Sequence, residues 1–437
     1  MFHEIVHRLY ISIREDIQWI KKSKTVNEEI NLRELCIKLY NEGKKPTEIS
    51  RSLRRTRNWV YKWIKRYKSG DPKWYLDESK EPKKKPTKVD QELENNIVDI
   101  RKKLVKRDTP ETRYAFHGAV AIHQELDKSG YKDKPNLSTI NRIIKRNGLI
   151  VKEQRKTGNK ESKVYYPGIC TRYPGHVYQL DLVTPRYITG YGRIVSVNRI
   201  DVYSAKANLN QYQSKGADSI ISFAIEDWSE HGIPHYLQLD NEAAFRGSLY
   251  HPRTFGKLTR FCLNFGVELI FIPFKEPWRN GYIESFNSRF NENLWLFQKF
   301  TDLEHLRNEA KLFKDKYNNF QTYKKKHFSK QYLFGYTTRY FPKGFKFDLS
   351  TELPITNGKI HFIRLVNEKG YINVFNENFY INKDFSFEYV WATIFTKEQL
   401  LRFYYQATKD SKEELIKTVA YKLRETVKNR MPVKKFC

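Results

Sequence analysis

The sequence predicts a multidomain chain. Its N-terminal third reads as α-helical modules of the helix-turn-helix kind, its middle as an α/β core with a mixed sheet, and its C-terminal part as a small β-barrel plus a helix. Three observations carry this. Apolar residues recur at helical spacing up to about residue 150. From residue 176 strand-like runs alternate with helical ones. Residues 355–395 then alternate in strand fashion, with turn signals at Asn357-Gly358 and Lys369-Gly370.

Composition names the partner class. The 437 residues include 80 Lys+Arg against 50 Asp+Glu, a net charge of +30. So large an excess costs stability through self-repulsion unless a polyanion is present. Aromatics at 15% place the charge on packed structure rather than on a disordered tail. Residues 51–200 carry 35 basic and 16 acidic side chains, whereas residues 201–250 carry 3 and 7. The N-terminus has no apolar secretory core, and no apolar run is long enough to span a membrane. Cys36, Cys170, Cys262 and Cys437 are too scattered for a disulfide framework or zinc ribbon. An intracellular, reducing setting is expected.

In the first module, Leu32, Leu35, Leu39 and Tyr40 form a stripe that Asn41-Glu42-Gly43 ends. Pro46 opens a second short helix, with Ile49 and Leu53 inward. A third begins near Thr56, buries Val60, Ile64 and Tyr67, and stops at Gly70. Its other face offers Arg57, Asn58, Tyr61, Lys62 and Lys65, with Arg55 just ahead. A basic last helix can enter a DNA major groove, where Arg and Asn read base edges. The pattern repeats with Leu93, Ile97, Ile100 and Leu104, then Ile122 and Leu126, then Ile140, Ile143 and Ile144. Asn141, Arg142, Lys145 and Arg146 face outward from that last helix.

The middle reads as strands at 177–183, 192–204 and 206–212, a helix from about 217 to 230, and a strand at 236–240. A helix near 254–265, a strand at 267–272 and a long helix from Asn280 complete it. Asp181 and Asp240 each close a Gln-Leu-Asp string in an apolar strand, with Gln179 and Gln238 on the same faces as their acids. Asp is depleted in strands and costly to bury unpaired. Glu284 lies on the polar face of a helix whose Ile283, Phe286, Phe290, Leu294 and Phe297 form the apolar stripe. Three such carboxylates suit two Mg²⁺ ions, with Mn²⁺ able to substitute, in phosphoryl transfer. Asp201 and Glu242 are weaker candidates. No Walker loop, nucleophile elbow or Cys/His dyad competes.

These strings, above all Pro277-x-x-Asn280-Gly281-x-x-Glu284-Ser285-x-Asn287, resemble the Asp-Asp-Glu core of transposases and retroviral-type integrases. The nearest likeness is to bacterial insertion-sequence transposases with N-terminal helix-turn-helix domains. The resemblance implies an RNase H-like core holding Asp181, Asp240 and Glu284 as catalytic metal ligands. It also implies 3′-end cleavage and strand transfer on double-stranded DNA by a homo-oligomer, a dimer or tetramer. Asn280, Asn287 and Arg289 are expected as DNA contacts beside the acids. Two departures stand out: a long Asp240–Glu284 interval, with its extra length around Arg246 to Thr254, and Asn291 where many relatives carry a basic residue.

The expected division is a helical segment at 1–27, a helix-turn-helix domain at 28–76 and a basic linker at 77–88. A second helix-turn-helix-like domain at 89–150 and a basic linker at 151–172 follow. The RNase H-like core is expected at 173–345, an SH3-like barrel at 350–400 and a basic C-terminal helix at 401–437. In that helix Leu415, Ile416, Val419 and Leu423 share one side. A cytoplasmic, nucleoid-associated protein is expected. The alternatives are a catalytically inactive DNA-binding regulator and a structure-specific nuclease of the same fold.

Overall fold

The computed structural model describes residues 28–78, 89–150, 164–247, 251–329 and 338–431, except for the side chain of Thr184. The expected segment 1–27 lies outside the described residues, as do 79–88 and 151–163 of the expected linkers. The chain divides into two compact units, Met1–Lys88 and Val89–Cys437.

The first unit holds α1 (residues 28–41), α2 (Pro46–Ser52) and α3 (Arg57–Lys68). Pro46 starts α2, and the Thr56 side chain accepts from Trp59 N–H to cap α3, a device worth about 1 kcal/mol. The core is Cys36, Ile37, Leu39, Ile49, Val60 and Ile64, with Trp63 also buried. Leu35, expected inward, is 42% exposed. The buried face of α1 is rotated toward Arg33, Cys36 and Ile37, because the Arg33 guanidinium packs 4.1 Å from the Trp63 ring and bonds Tyr75 O and Asp77.

The second unit begins with α4 (Gln91–Lys106), α5 (Ala119–Lys128) and α6 (Leu137–Arg146), packed around Ile97, Leu104, Ile122, Leu126, Ile140, Ile143 and Ile144. This trio is joined to the α/β part that follows it. Phe116 stacks on Phe320 at 3.7 Å, and Tyr114 donates to Glu309.

The central chain forms β1 (Val177–Ile188), β2 (Gly192–Asp201), β3 (Ala207–Tyr212), α7 (Ala217–His231), β4 (Tyr236–Leu239), α8 (Ala243–Arg246), α9 (Lys257–Asn264), β5 (Glu268–Phe271) and α10 (Gly281–Phe290). A 3-10 turn (Pro277–Asn280) leads into α10, a π-turn (Asn291–Trp295) follows it, and α11 (Leu303–Phe328) comes next. Along β1, side chains alternate between two cores. Tyr178 and Leu180 point to the cluster with α7 and α9. The opposite face joins Ile200 and Leu209 to Ile283, Phe286, Phe290 and Phe313 of α10 and α11. Phe297, expected in that stripe, is 45% exposed, because the π-turn breaks the helical register ahead of it.

The C-terminal part corrects two expectations. It supplies β6 (Lys359–Leu365), β7 (Tyr371–Val374), β8 (Glu377–Tyr380), β9 (Tyr389–Phe395), β10 (Leu400–Tyr405) and β11 (Glu414–Ala420). In place of a separate SH3-like barrel, four of these strands extend the central sheet to nine, ordered β11-β10-β9-β6-β5-β4-β1-β2-β3. The junction is a parallel ladder, with Ile270 opposite His361 and Phe271 opposite Phe362. Residues 414–420, expected in a helix, form the edge strand β11 against β10. Bonds from Leu401, Arg402 and their neighbours satisfy that backbone in extended form, and Leu415 is left 55% exposed. No helix of the described residues is long and apolar enough to cross a membrane.

Candidate active site

Gln179 of β1 stands opposite Gln238 of β4 in a parallel ladder. Two residues further along each strand, Asp181 and Asp240 come side by side where β4 ends. Period-two alternation puts both on the face that carries α10.

The two glutamines bring the third acid to this place. The Gln179 side-chain oxygen accepts from Ile283 N–H at 3.1 Å, and the Gln238 amide donates to Asn280 Oδ1 at 2.8 Å and to Arg279 O at 3.1 Å. The first turn of α10 is thus clamped on the strands that hold the aspartates, with Glu284 in that turn. The repeated Gln-Leu-Asp string is the sequence trace of this clamp, although the strings do not reveal what the glutamines bind.

Each acid is partly buried. Asp181 accepts from Leu182 N–H at 2.9 Å and from Asn287 Nδ2 at 2.7 Å. Burial, then the Asp240 carboxylate, then those of Glu284 and Glu242, push the Asp181 carboxyl up to about 7. Burial raises Asp240, and the Glu242 charge adds to it against an opposing bond from Glu242 N–H. Burial raises Glu284 too. Asp181 feels the charges of both other acids, and among the described residues no basic side chain is a principal influence on any of the three.

Behind Asp181 runs a chain of buried polar groups that sequence reasoning missed. Gln211 donates to Ser196 at 3.4 Å, Ser196 to Asn198 at 2.8 Å, Asn198 to Asn287 at 2.8 Å, and Asn287 to Asp181. Asn198 lies directly opposite Asp181 on β2, and Ser196 opposite Gln211 on β3. Every donor points toward the carboxylate, so the chain favours its charged form. Ser196 and Asn198, two residues apart on one face of β2, were the available signal.

The other expected site residues divide. Asn280 is 3% exposed and lies beneath α10, and Asn287 is held between Asp181 and Asn198. In the folded chain both asparagines support α10 from within. Arg289 is exposed, its guanidinium 4.7 Å from the Phe116 ring. Arg186 of β1 donates to Asn291, placing a guanidinium beside the amide that replaces the basic residue of many relatives. Asp201 caps its own turn through Tyr203 N–H and Ser204, and Glu242 pairs with Lys215 at 2.6 Å. On α3, Arg57, Asn58, Tyr61, Lys62 and Lys65 are exposed, while Arg55 pairs with Glu29. On α6, Asn141, Arg142 and Lys145 are exposed, and Arg146 pairs with Glu94.

The donor set fits a hard cation. Carboxylate oxygens are the ligands Mg²⁺ and Mn²⁺ prefer, and crowded, partly buried acids are what such a charge relieves. Among the described residues, no group of three or more His, Cys, Asp or Glu side chains is placed to hold a metal ion. Mg²⁺ needs none, since it commonly uses one or two carboxylates and completes its shell with water and phosphate.

Comparison with known proteins gives matches in both units. A homeodomain-like domain model matches residues 27–75, and an integrase core domain model matches residues 265–322. The chain is 25% identical over 235 residues to an insertion element IS407 uncharacterized 31.7 kDa protein of Burkholderia multivorans, covering 52% of this chain and 76% of that one. Among solved structures, the HTLV-2 integrase catalytic core domain in complex with magnesium is 20% identical, with 32% of this chain and 84% of that chain covered and a TM-score of 0.25. A simian T-cell lymphotropic virus intasome chain is 13% identical, with 70% and 96% covered and a TM-score of 0.28.

Proposed function

We propose, on the premise that this chain belongs to the transposases and integrases with an Asp-Asp-Glu core, that it cleaves the 3′ ends of a mobile DNA element and joins them to target DNA. The observation that carries this reading is the register of β1 and β4. It sets Asp181 beside Asp240, while Gln179 and Gln238 clamp the helix bearing Glu284.

Both steps are in-line displacements at phosphorus. In the first, water attacks an end phosphate and the 3′-oxygen leaves. In the second, that 3′-hydroxyl attacks a target phosphate and the target's 3′-oxygen leaves. Asp181, Asp240 and Glu284 would hold two Mg²⁺ ions, whose charge activates the attacking oxygen and stabilises the leaving one. The protein's own work is to fix the carboxylates. Leu182 N–H and Asn287 hold Asp181 in one orientation, and Glu242 N–H holds Asp240. Double-stranded DNA is gripped by the exposed basic face of α3 and, in the second unit, by Asn141, Arg142 and Lys145 of α6. Element ends are brought together by a homo-oligomer.

The test is Asp240→Asn with end-bearing duplexes and a supercoiled plasmid. Cleavage and joining should both disappear while end binding persists. Full activity in the variant would sink the metal-site assignment. Wild-type cutting without joining of the 3′ end would favour a nuclease, and end binding without either reaction a regulator.

A further inference from the structure

The C-terminal strands do more than widen the sheet. Arg364, near the end of β6, is 3% exposed, and among the described residues none of its hydrogen-bond acceptors is a carboxylate. Its Nε donates to Asn373 O at 2.9 Å, and Nη1 lies within 3.1 Å of the carbonyl oxygens of Phe271, Ile272 and Ile363. The remaining arm, Nη2, reaches Asn241 Oδ1 at 2.8 Å. Asn241 turns its own Nδ2 onto Ile272 O at 2.6 Å, so one carbonyl receives both Arg364 and Asn241.

Asn241 is the residue after Asp240. Because β4, β5 and β6 run parallel with Leu239 opposite Phe271 and Phe271 opposite Phe362, Arg364 arrives at the end of the sheet where the aspartates sit. Burial, with the nearby Arg246 charge adding, lowers the Arg364 guanidinium to about 9. A charge held in the interior by neutral carbonyls is an expensive way to join two strands, and an apolar residue of similar volume commonly does so at lower cost. What an apolar residue cannot do is fix a side-chain amide on a neighbouring loop.

We propose that Arg364 is a positioning residue for Asp240, acting through Asn241. The guanidinium fork ties the loop after β4 to the ends of β5 and β6, which leaves the Asp240 backbone one orientation. The C-terminal strands therefore serve the catalytic centre directly. The inference rests on the proposed transferase reading, and the experiment separates the two.

Arg364→Lys, Asn241→Ala and their double variant would be compared with Asp240→Asn in the full-length protein. Lysine keeps the charge and loses the fork. Outer-shell partners of metal ligands typically contribute 10–100-fold to activity or metal affinity. Each single variant should therefore lose roughly 10–100-fold in joining rate at saturating DNA. The half-saturating Mg²⁺ concentration should rise, and DNA affinity should stay within about twofold of wild type. Amide exchange of residues 240–246 should quicken in the metal-free protein. The double variant should be no worse than the weaker single, because both break one connection.

A merely structural role would lower the active fraction with the Mg²⁺ dependence unchanged, and that result overturns the proposal. So does wild-type turnover in Asn241→Ala, which tests the link even where Arg364→Lys fails to fold. If Asp240→Asn retains activity, the transferase reading itself has failed. If only the positioning variants retain it, that reading stands and this inference falls.

Discussion

Strands β1 to β3 and the end of β4 bury Gln179, Asn198, Arg199, Asp201, Gln211 and Gln238. Strands β6, β9 and β10 bury Ile360, Phe362, Val390, Ala392, Ile394, Leu401 and Phe403, with polar groups few among them. The two halves share one ladder but differ in what their side chains are for. The first accepts buried polar groups that support Asp181 and clamp the helix bearing Glu284. The second supplies apolar area, at roughly 25 cal/mol per Å² removed from water, and this offsets what the first gives up. Arg364, at the seam, is the exception that points from the second half into the first.

This contrast breaks most sharply on truncation. A chain ending near residue 350 would keep all three acids but uncover the β5 edge and strip Phe271 of its stacking partner Phe362. We expect loss of soluble folded protein, checked by expression and circular dichroism. A fragment from Val89 onward should fold, because the first unit is compact by itself, and should lose end-specific binding. If the shorter C-terminal truncation folds, the two halves are separable after all.

Asn198→Ala probes the polar half. Removing a buried amide from a satisfied chain should cost about 1–3 kcal/mol and free Asn287, lowering joining severalfold at unchanged DNA affinity. Ile363→Val in the other half should cost only about 0.5–1.5 kcal/mol and leave the rate alone. Denaturant titration and single-turnover assays read both.

Asp181 gives a pH signature. Its folded-state value of about 7 lies above the ordinary carboxylate value, so the folded protein binds the extra proton between roughly pH 4 and 7. Without divalent metal, stability should fall as pH rises through that window and level off above it. The drop should be on the order of 2 kcal/mol, discounted from the full linkage value because water reaches this half-buried group. Asp181→Asn should remove the largest part of the drop, with the smaller share from the raised Asp240 and Glu284 remaining, and Mg²⁺ should reduce it. Thermal midpoints at pH 5 and pH 8 measure this.

The smallest single effects belong to the surface of α3. Lys62→Ala or Lys65→Ala should weaken binding to all sequences alike and each flatten the logarithmic salt dependence by about one unit, read by titration at several salt concentrations. Leu35→Ser, on the exposed side of α1, should change neither stability nor binding by more than about 0.5 kcal/mol.

Much of this was legible in the chain itself. Pro46, Thr56 and Gly70 are local signals, and α2 and α3 begin and end at them. Asp181 and Asp240 were conspicuous because acids are costly in apolar strands, and Glu284 because of the motif around it. The C-terminal architecture was not legible. Alternation in 355–395 is the same whether a strand pairs within a barrel or with β5, and that partner is remote in sequence. Leu415, Ile416 and Val419 fit a helical stripe as well as an edge strand, and only the bonds to β10 decide. Asn280 and Asn287 read as exposed polar residues of a motif. Their internal hydrogen bonds run to Gln238 and Asn198, which the spacing does not connect to them.

The parallel pairing of β5 with β6 also sets a schedule. Phe271 leaves the ribosome well before Lys359, and at roughly 5–20 residues per second the edge of β5 waits several seconds for its neighbour. Through that interval the acids are already synthesised while the strand carrying Arg364 is still missing. On the proposed reading, a chain in that interval lacks the guanidinium fork that would hold the loop after Asp240, so its site would be assembled only once the sheet has grown past β5.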